Sequence, residues 1–174
     1  NTGTPCTVIG APNSPYKTLV QLLDDAKTHP EKISYTSQGS TGTPDYFIRV
    51  LFKKVGADIS KAPAVMVTGA APTIPMTAGG NVVMGLSSAS GALTGVKSGI
   101  VRALVISSKE PDPDFPCVPT TVSLGYPSVV SWNGLSGPPR MPKAIVEKWG
   151  KILKESASDP EFIANLRKVG AVPY

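Results

Sequence analysis

The sequence predicts an α/β fold, a mainly parallel sheet flanked by helices, and three observations point to it. Short runs of Val, Ile and Leu alternate along the chain with segments of helical periodicity. The runs are apolar throughout, as strands buried on both faces require. Polar loops of Gly, Ser, Thr and Pro separate the two kinds of segment.

Residues 7–11 read as the first strand. Ser14 then stands where a helix cap belongs, with Pro15 in the first turn. Leu19, Leu22, Leu23 and Ala26 share one helical face up to Thr28, and His29-Pro30 stops the helix. Residues 33–36 form the next strand, which opens into Ser37-Gln38-Gly39-Ser40-Thr41-Gly42-Thr43. Thr43 is the expected cap and Pro44 the first helical residue; Phe47, Ile48, Val50, Leu51, Phe52 and Val55 form a broad buried face that ends at Gly56. Residues 64–67 repeat the pattern, with the loop Thr68-Gly69-Ala70-Ala71-Pro72, a short helix over 74–78 and a break at Gly79-Gly80. Residues 82–86 lead through Ser87-Ser88-Ala89-Ser90 into a weaker helix reaching Lys97, and residues 101–106 supply another strand. A Pro-rich loop over 110–119 and an extended run over 128–135 follow. Gly137-Pro138-Pro139 then separates this part from two helices, over 142–157 and 160–169.

A length of 174 residues fits one domain with a core, or one domain and a piece of a second. Charged residues make up 17% and hydrophobic ones 41%, the balance of a folded body and not of a disordered tail. No apolar run approaches ~18 residues, and no basic start leads into an apolar stretch. Neither a membrane span nor an uncleaved signal peptide is therefore read in these residues. The net charge is +5, but the 17 Lys and Arg are scattered among 12 acids, with seven from Arg140 onward. Such scatter argues against a nucleic-acid partner and for weak attraction of anions. Cys6 and Cys117 can form one bridge in an oxidising compartment or remain free, and their spacing matches no zinc or redox motif.

The inventory of catalytic groups is thin. His29 is the single histidine and sits at a helix end beside Lys27 and Glu31, a poor place for a general base. Asp112-Pro113-Asp114 reads as a polar loop, not a metal cage, and no Walker, GxGxxG or GxSxG pattern is present. The expectation is a protein without catalytic residues, metal or cofactor.

What remains is three polar loops, each after a strand and before a helix. In a parallel sheet such loops share one edge, where open α/β folds bind ligands. Unpaired N–H groups and the helix dipole can hold a carboxylate there without Lys or Arg. The candidate ligand contacts are Ser37, Gln38, Gly39, Ser40, Thr41, Gly42 and Thr43 in the first loop, Thr68, Gly69, Ala70 and Ala71 in the second, and Ser87 and Ser88 in the third. Loop Ser and Thr also serve as caps and turn formers. The first loop, however, has more small polar residues in a row than one cap uses. Asp45 suits the first turn of its helix, where a carboxylate favours the dipole; contact with a ligand ammonium is the alternative, although an acid aimed into an anion site would oppose binding. Trp132, Trp149, Tyr16 and Tyr35 read as packing residues.

The order of several motifs resembles the tripartite tricarboxylate transporter receptor family, also called Bug proteins. These are Ser14-Pro15-Tyr16-Lys17-Thr18-Leu19, Pro30-Glu31-Lys32-Ile33-Ser34-Tyr35, the Ser/Gly loop, Gly69-Ala70-Ala71-Pro72 and Gly79-Gly80-Asn81-Val82. Lys97-Ser98-Gly99-Ile100-Val101-Arg102-Ala103-Leu104, Val118-Pro119-Thr120 and Ser131-Trp132-Asn133-Gly134-Leu135 continue the series over nearly the whole chain. The resemblance implies a periplasmic-binding-protein-like (type II) fold of two α/β lobes. It also implies a non-enzymatic periplasmic receptor that takes a small organic carboxylate to the subunits of a membrane permease. On that pattern residues 1–130 are the second lobe with the first hinge strand. Residues 131–174 are then the return strand and the helices that complete the other lobe. The glycine-rich first turn of that lobe has no counterpart here, so a chain lacking its N-terminal part is expected, with a homodimer through the incomplete lobe. Two departures stand out: Asp45-Tyr46 where the family commonly has His-Leu after a loop one residue shorter, and Thr68 where many relatives carry lysine. The same architecture also serves as the effector domain of transcription regulators, which needs a DNA-binding segment not found in these residues.

Overall fold

A computed structural model describes residues 2–39, 42–69, 71–168 and 172–173. The chain divides into two compact units, residues 5–130 and residues 1–4 with 131–174.

The larger unit is built as the apolar runs require. Its elements are the inner part of β1 (Thr2–Gly10), α1 (Leu19–Thr28), β2 (Tyr35–Ser37), α2 (Thr43–Val55), β3 (Ala64–Met66), α3 (Thr73–Ala78), β4 (Gly85–Ser88), α4 (Ala89–Lys97) and β5 (Arg102–Ile106). β2 and β3 pair in parallel, and a parallel bridge from Tyr35 to Met84 joins them to the β4 side. β1 lies between β4 and β5 and runs antiparallel to both, pairing Thr7 with Ser87 and with Ile106. β4 and β5 therefore point the same way, and β1, which enters from the other unit, is the exception to the parallel order.

Alternation along β1 divides the core between the two faces of the sheet. Val8 joins Leu19, Leu22, Leu23, Phe47, Ile48, Leu51, Phe52 and Leu86 under α1 and α2. Ile9 joins Ala89, Ala92, Val101, Ile106 and Phe115 on the other face. Sealing each large side chain stabilises the unit by about 1.5–3 kcal/mol. Gly85 lets α3 lie against the sheet: a Cβ there would meet Ile9 Cγ1 and Thr73 Cγ2 at 2.8 Å and would also strike the Thr77 hydroxyl.

Two expected caps are corrected. α1 starts at Leu19, not after Ser14, because Thr18 accepts from the Gln21 amide at 3.2 Å while the Gln21 side chain returns to the Thr18 amide. Ser14 instead accepts from the Tyr16 amide at 3.2 Å in a local turn. α2 is capped by Gly42, not Thr43, and Pro44 sits one place further in. Extended backbone at Gly42, φ −71° and ψ 139°, makes it the flanking residue, and no side chain caps this end.

In the smaller unit β6 (Val130–Asn133) and β7 (Val172–Pro173) pair with the start of β1, and α5 (Lys143–Ala157) and α6 (Pro160–Lys168) follow the chain. α5 is amphipathic, yet it has no buried residue: Ile145, Val146, Trp149, Ile152 and Leu153 are all exposed. Among the described residues no helix is long and apolar enough to cross a membrane.

Candidate functional site

Strand register decides whether the three polar loops meet. Ser37 is opposite Met66 across the β2–β3 pair, and the Val67 amide donates to Ser37 O at 2.8 Å. The Leu86 amide donates to Thr36 Oγ1 at 2.9 Å, so β4 runs level with β2 as both approach their C-terminal ends. Cys6 faces Ser88, while Thr7 faces both Ser87 and Ile106. The C-terminal ends of β2, β3, β4 and β5 therefore lie along one edge of the sheet, and the loops after β2, β3 and β4 all leave from it.

The first loop is organised by Asp45. Its carboxylate is 1% exposed and accepts from the Ser37 hydroxyl and, at 2.9 Å, from the Gln38 amide. Ser37 Oγ accepts in turn from the Gly39 amide at 3.1 Å, and the Gly42 amide donates to Gly39 O at 2.9 Å. Gly39 has φ 101°, which a side chain would strain. Asp45 is the third residue of α2, where an acid reaches back over the helix start. The glycine cap leaves it free to reach further, into the loop. Burial, with the Asp45 carboxylate nearby, holds the Tyr35 phenol above its usual range. Gln38, Gly39, Gly42 and Thr43 are half-buried at the edge, whereas Ser40 and Thr41 lie outside the described residues.

In the second loop Thr68, Gly69 and Ala71 are exposed, Gly69 has φ 78°, and Ala70 lies outside the described residues. In the third, Ser88 caps α4 by accepting from the Gly91 amide at 3.1 Å, and its hydroxyl is 3.3 Å from that of Ser90. Ser87 is fully buried, and its hydroxyl has no partner among the described residues; the same holds for Thr73. Both belong to the contact between α3 and β4.

Ser107, at the end of β5, escaped the sequence reading. Its hydroxyl accepts from the Cys6 amide at 2.7 Å and donates to Val129 O, and its carbonyl accepts from the Val129 amide at 3.2 Å. One buried side chain thus ties together the two strands that leave the larger unit. Its partners are 101 and 22 residues away, so no local pattern could reveal it.

Other chemistry is sparse. His29 is exposed, 3.4 Å from Glu31, and among the described residues no three His, Cys, Asp or Glu side chains gather to hold a metal. Both cysteines are free, Cys6 buried and Cys117 exposed. Burial pushes the Cys6 thiol up to about 12. A groove of about 530 Å³ beside β5, lined in part by Lys17, Arg102, Val96 and Cys117, includes none of the candidate contacts in the three loops.

A mixed sheet flanked by helices, in which β2, β3, β4 and β5 point one way and β1 runs against them, with its loops gathered at one edge, defines a lobe of the periplasmic-binding-protein-like type. A TctC solute-binding protein from Polaromonas shares the fold with TM-score 0.82 at 19% identity, over 99% of this chain and 60% of that one. MatC from Rhodopseudomonas palustris with bound malate gives 0.77 at 24% identity, over 99% and 58%. The chain belongs to the tripartite tricarboxylate transporter family receptors, whose family model matches residues 2–174. Protein BugT of Bordetella pertussis is 25% identical over 172 residues, 97% of this chain and 52% of its own length. The chain spans about half the length of the curated relatives it matches. The family is thus the one its motifs resemble.

Proposed function

We propose that this chain is the larger part of a periplasmic solute-binding receptor that holds a small organic carboxylate at the loop edge and delivers it to a tripartite tricarboxylate-type permease, without catalysis. Residues 1–130 act as the second lobe with the first hinge strand, and residues 131–174 as the return strand and the helices of the other lobe. The observation that carries this reading is the gathering of three strand-to-helix loops at one sheet edge. There the first amides of α4 lack intrahelical acceptors, and Ser88 and Ser90 supply hydroxyls at the helix start. A carboxylate at such a helix start gains about 0.3–1 kcal/mol when exposed and up to ~2 kcal/mol when partly buried. The malate in MatC is an acid of the chemical class this edge would take.

A two-lobed receptor surrounds its ligand, so one lobe alone binds weakly. Losing ~4 kcal/mol turns a micromolar site into a millimolar one. Calorimetry with a panel of carboxylates, on this chain and on a version extended at its N-terminus, tests the reading. The expected outcome is millimolar affinity for this chain and micromolar affinity for the longer one. Binding by neither protein sinks the receptor reading, and nanomolar binding by this chain sinks the division into partial lobes.

A further inference from the structure

The groove beside β5 lies apart from the three loops, and we propose that it is a second binding site, for a small acid with an apolar body. Arg102 opens β5 opposite Gly10, whereas the loops leave from the other end of the sheet, where Thr7 faces both Ser87 and Ile106. The strand from Arg102 to Ile106 spans about 13 Å. This site therefore stands or falls independently of the carboxylate edge.

Its charge is of one sign. Lys17 Nζ donates to Pro12 O at 3.1 Å, and Arg102 Nη2 donates to the same oxygen at 3.5 Å. One carbonyl thus gathers two cationic heads, and among the described residues neither forms an ion pair. No Asp or Glu is among the described residues that line the groove. The acids just before Cys117 are engaged elsewhere: Asp114 pairs with Lys97 at 2.9 Å, and Asp112 accepts from the Asp114 amide at 2.9 Å. Two like charges held this close repel each other, and an anion between them relieves the repulsion. A guanidinium and an ammonium also supply donors enough for both oxygens of one carboxylate. The rest of the lining is largely apolar, with Val96, Val101, Leu104 and Val118. A groove of about 530 Å³ has the size of a small-molecule site and exceeds what a bare inorganic ion fills. The lining therefore suits a ligand with charge at one end and hydrocarbon at the other, such as an aromatic carboxylate.

Cys117 lines the groove and is exposed while Cys6 is buried, so thiol labelling of the folded protein reads the groove at one residue. Alkylation of this chain by iodoacetamide at constant ionic strength, in the presence of benzoate, benzamide or acetate, tests the proposal. Benzoate is expected to slow labelling about fivefold at saturation, and benzamide, which has the shape without the charge, to leave the rate within about twofold. Acetate, which has the charge without the ring, is expected to need about tenfold more than benzoate for half protection. Replacing both cations, Lys17→Gln with Arg102→Gln, is expected to raise the benzoate needed by about tenfold. Labelling that benzoate leaves unchanged at any concentration, equal slowing by benzamide, or equal potency of acetate overturns the proposal. So does undiminished protection in the folded double variant. None of these results bears on the carboxylate edge, which is read by the calorimetry above. The wild-type comparison of the three compounds decides without the variant should the double replacement fail to fold.

Discussion

Helices α2 and α5 both carry an apolar face at helical spacing, yet α2 seals Phe47, Ile48, Leu51 and Phe52 completely while α5 leaves Trp149 half exposed and buries no residue. Their periodicity is equally strong, so the difference lies in what each helix meets. α2 packs against α1 and β4, elements of its own unit. α5 belongs to a unit with few neighbours, residues 1–4 and 131–174. An amphipathic stripe states that a helix has a face to bury. It does not state that the same stretch of chain supplies the cover.

The largest expected effect breaks the sealed side of this comparison. Phe47→Ala should cost about 3–5 kcal/mol in urea unfolding, since a buried aromatic leaves a cavity, whereas Trp149→Ala should change the unfolding free energy by no more than ~0.5 kcal/mol. Equal losses would show that α5 is covered after all. Ser107→Ala should cost about 1–3 kcal/mol, because the Cys6 amide and Val129 carbonyl lose a buried partner. Hydrogen exchange at the Cys6 amide should then accelerate in the folded state. Thr18→Ala, which removes the α1 capping box, should cost about 1 kcal/mol by the same unfolding measurement.

The cysteines sharpen the contrast at the smallest scale. A thiol reagent near neutral pH should label Cys117 and spare Cys6 until the protein is unfolded. The folded state holds the Cys6 proton more tightly than the unfolded chain does, which keeps its ordinary value near 9.0. Stability from this group is therefore complete below pH 9.0 and declines as the pH rises toward about 12. A thermal midpoint that rises over that interval would contradict the burial.

The order of strands and helices was legible in the sequence because apolar runs and glycine or proline breaks are local signals. The ends of α2 and α4 at Gly56 and Lys97 were read this way. The start of α1 was misread, since Ser14-Pro15 imitates a cap and only the reciprocal bonds of Thr18 and Gln21 show which start wins. The three loops could be placed at one edge from the parallel pattern alone. Their internal wiring could not, since Asp45 binds residues seven and eight positions back and Ser107 acts across 101. Both are short polar residues whose roles exist only after distant strands have come together.

The Ser107 clasp also bears on how the chain carries mechanical load. Both exits from the larger unit, next to Cys6 and next to Val129, are fastened to one hydroxyl. A pull or twist applied to either strand is shared with the other before it reaches the sheet. The two strands therefore share one anchor inside the larger unit, made of four hydrogen bonds between Ser107 and Cys6 or Val129 and not of the hydroxyl alone.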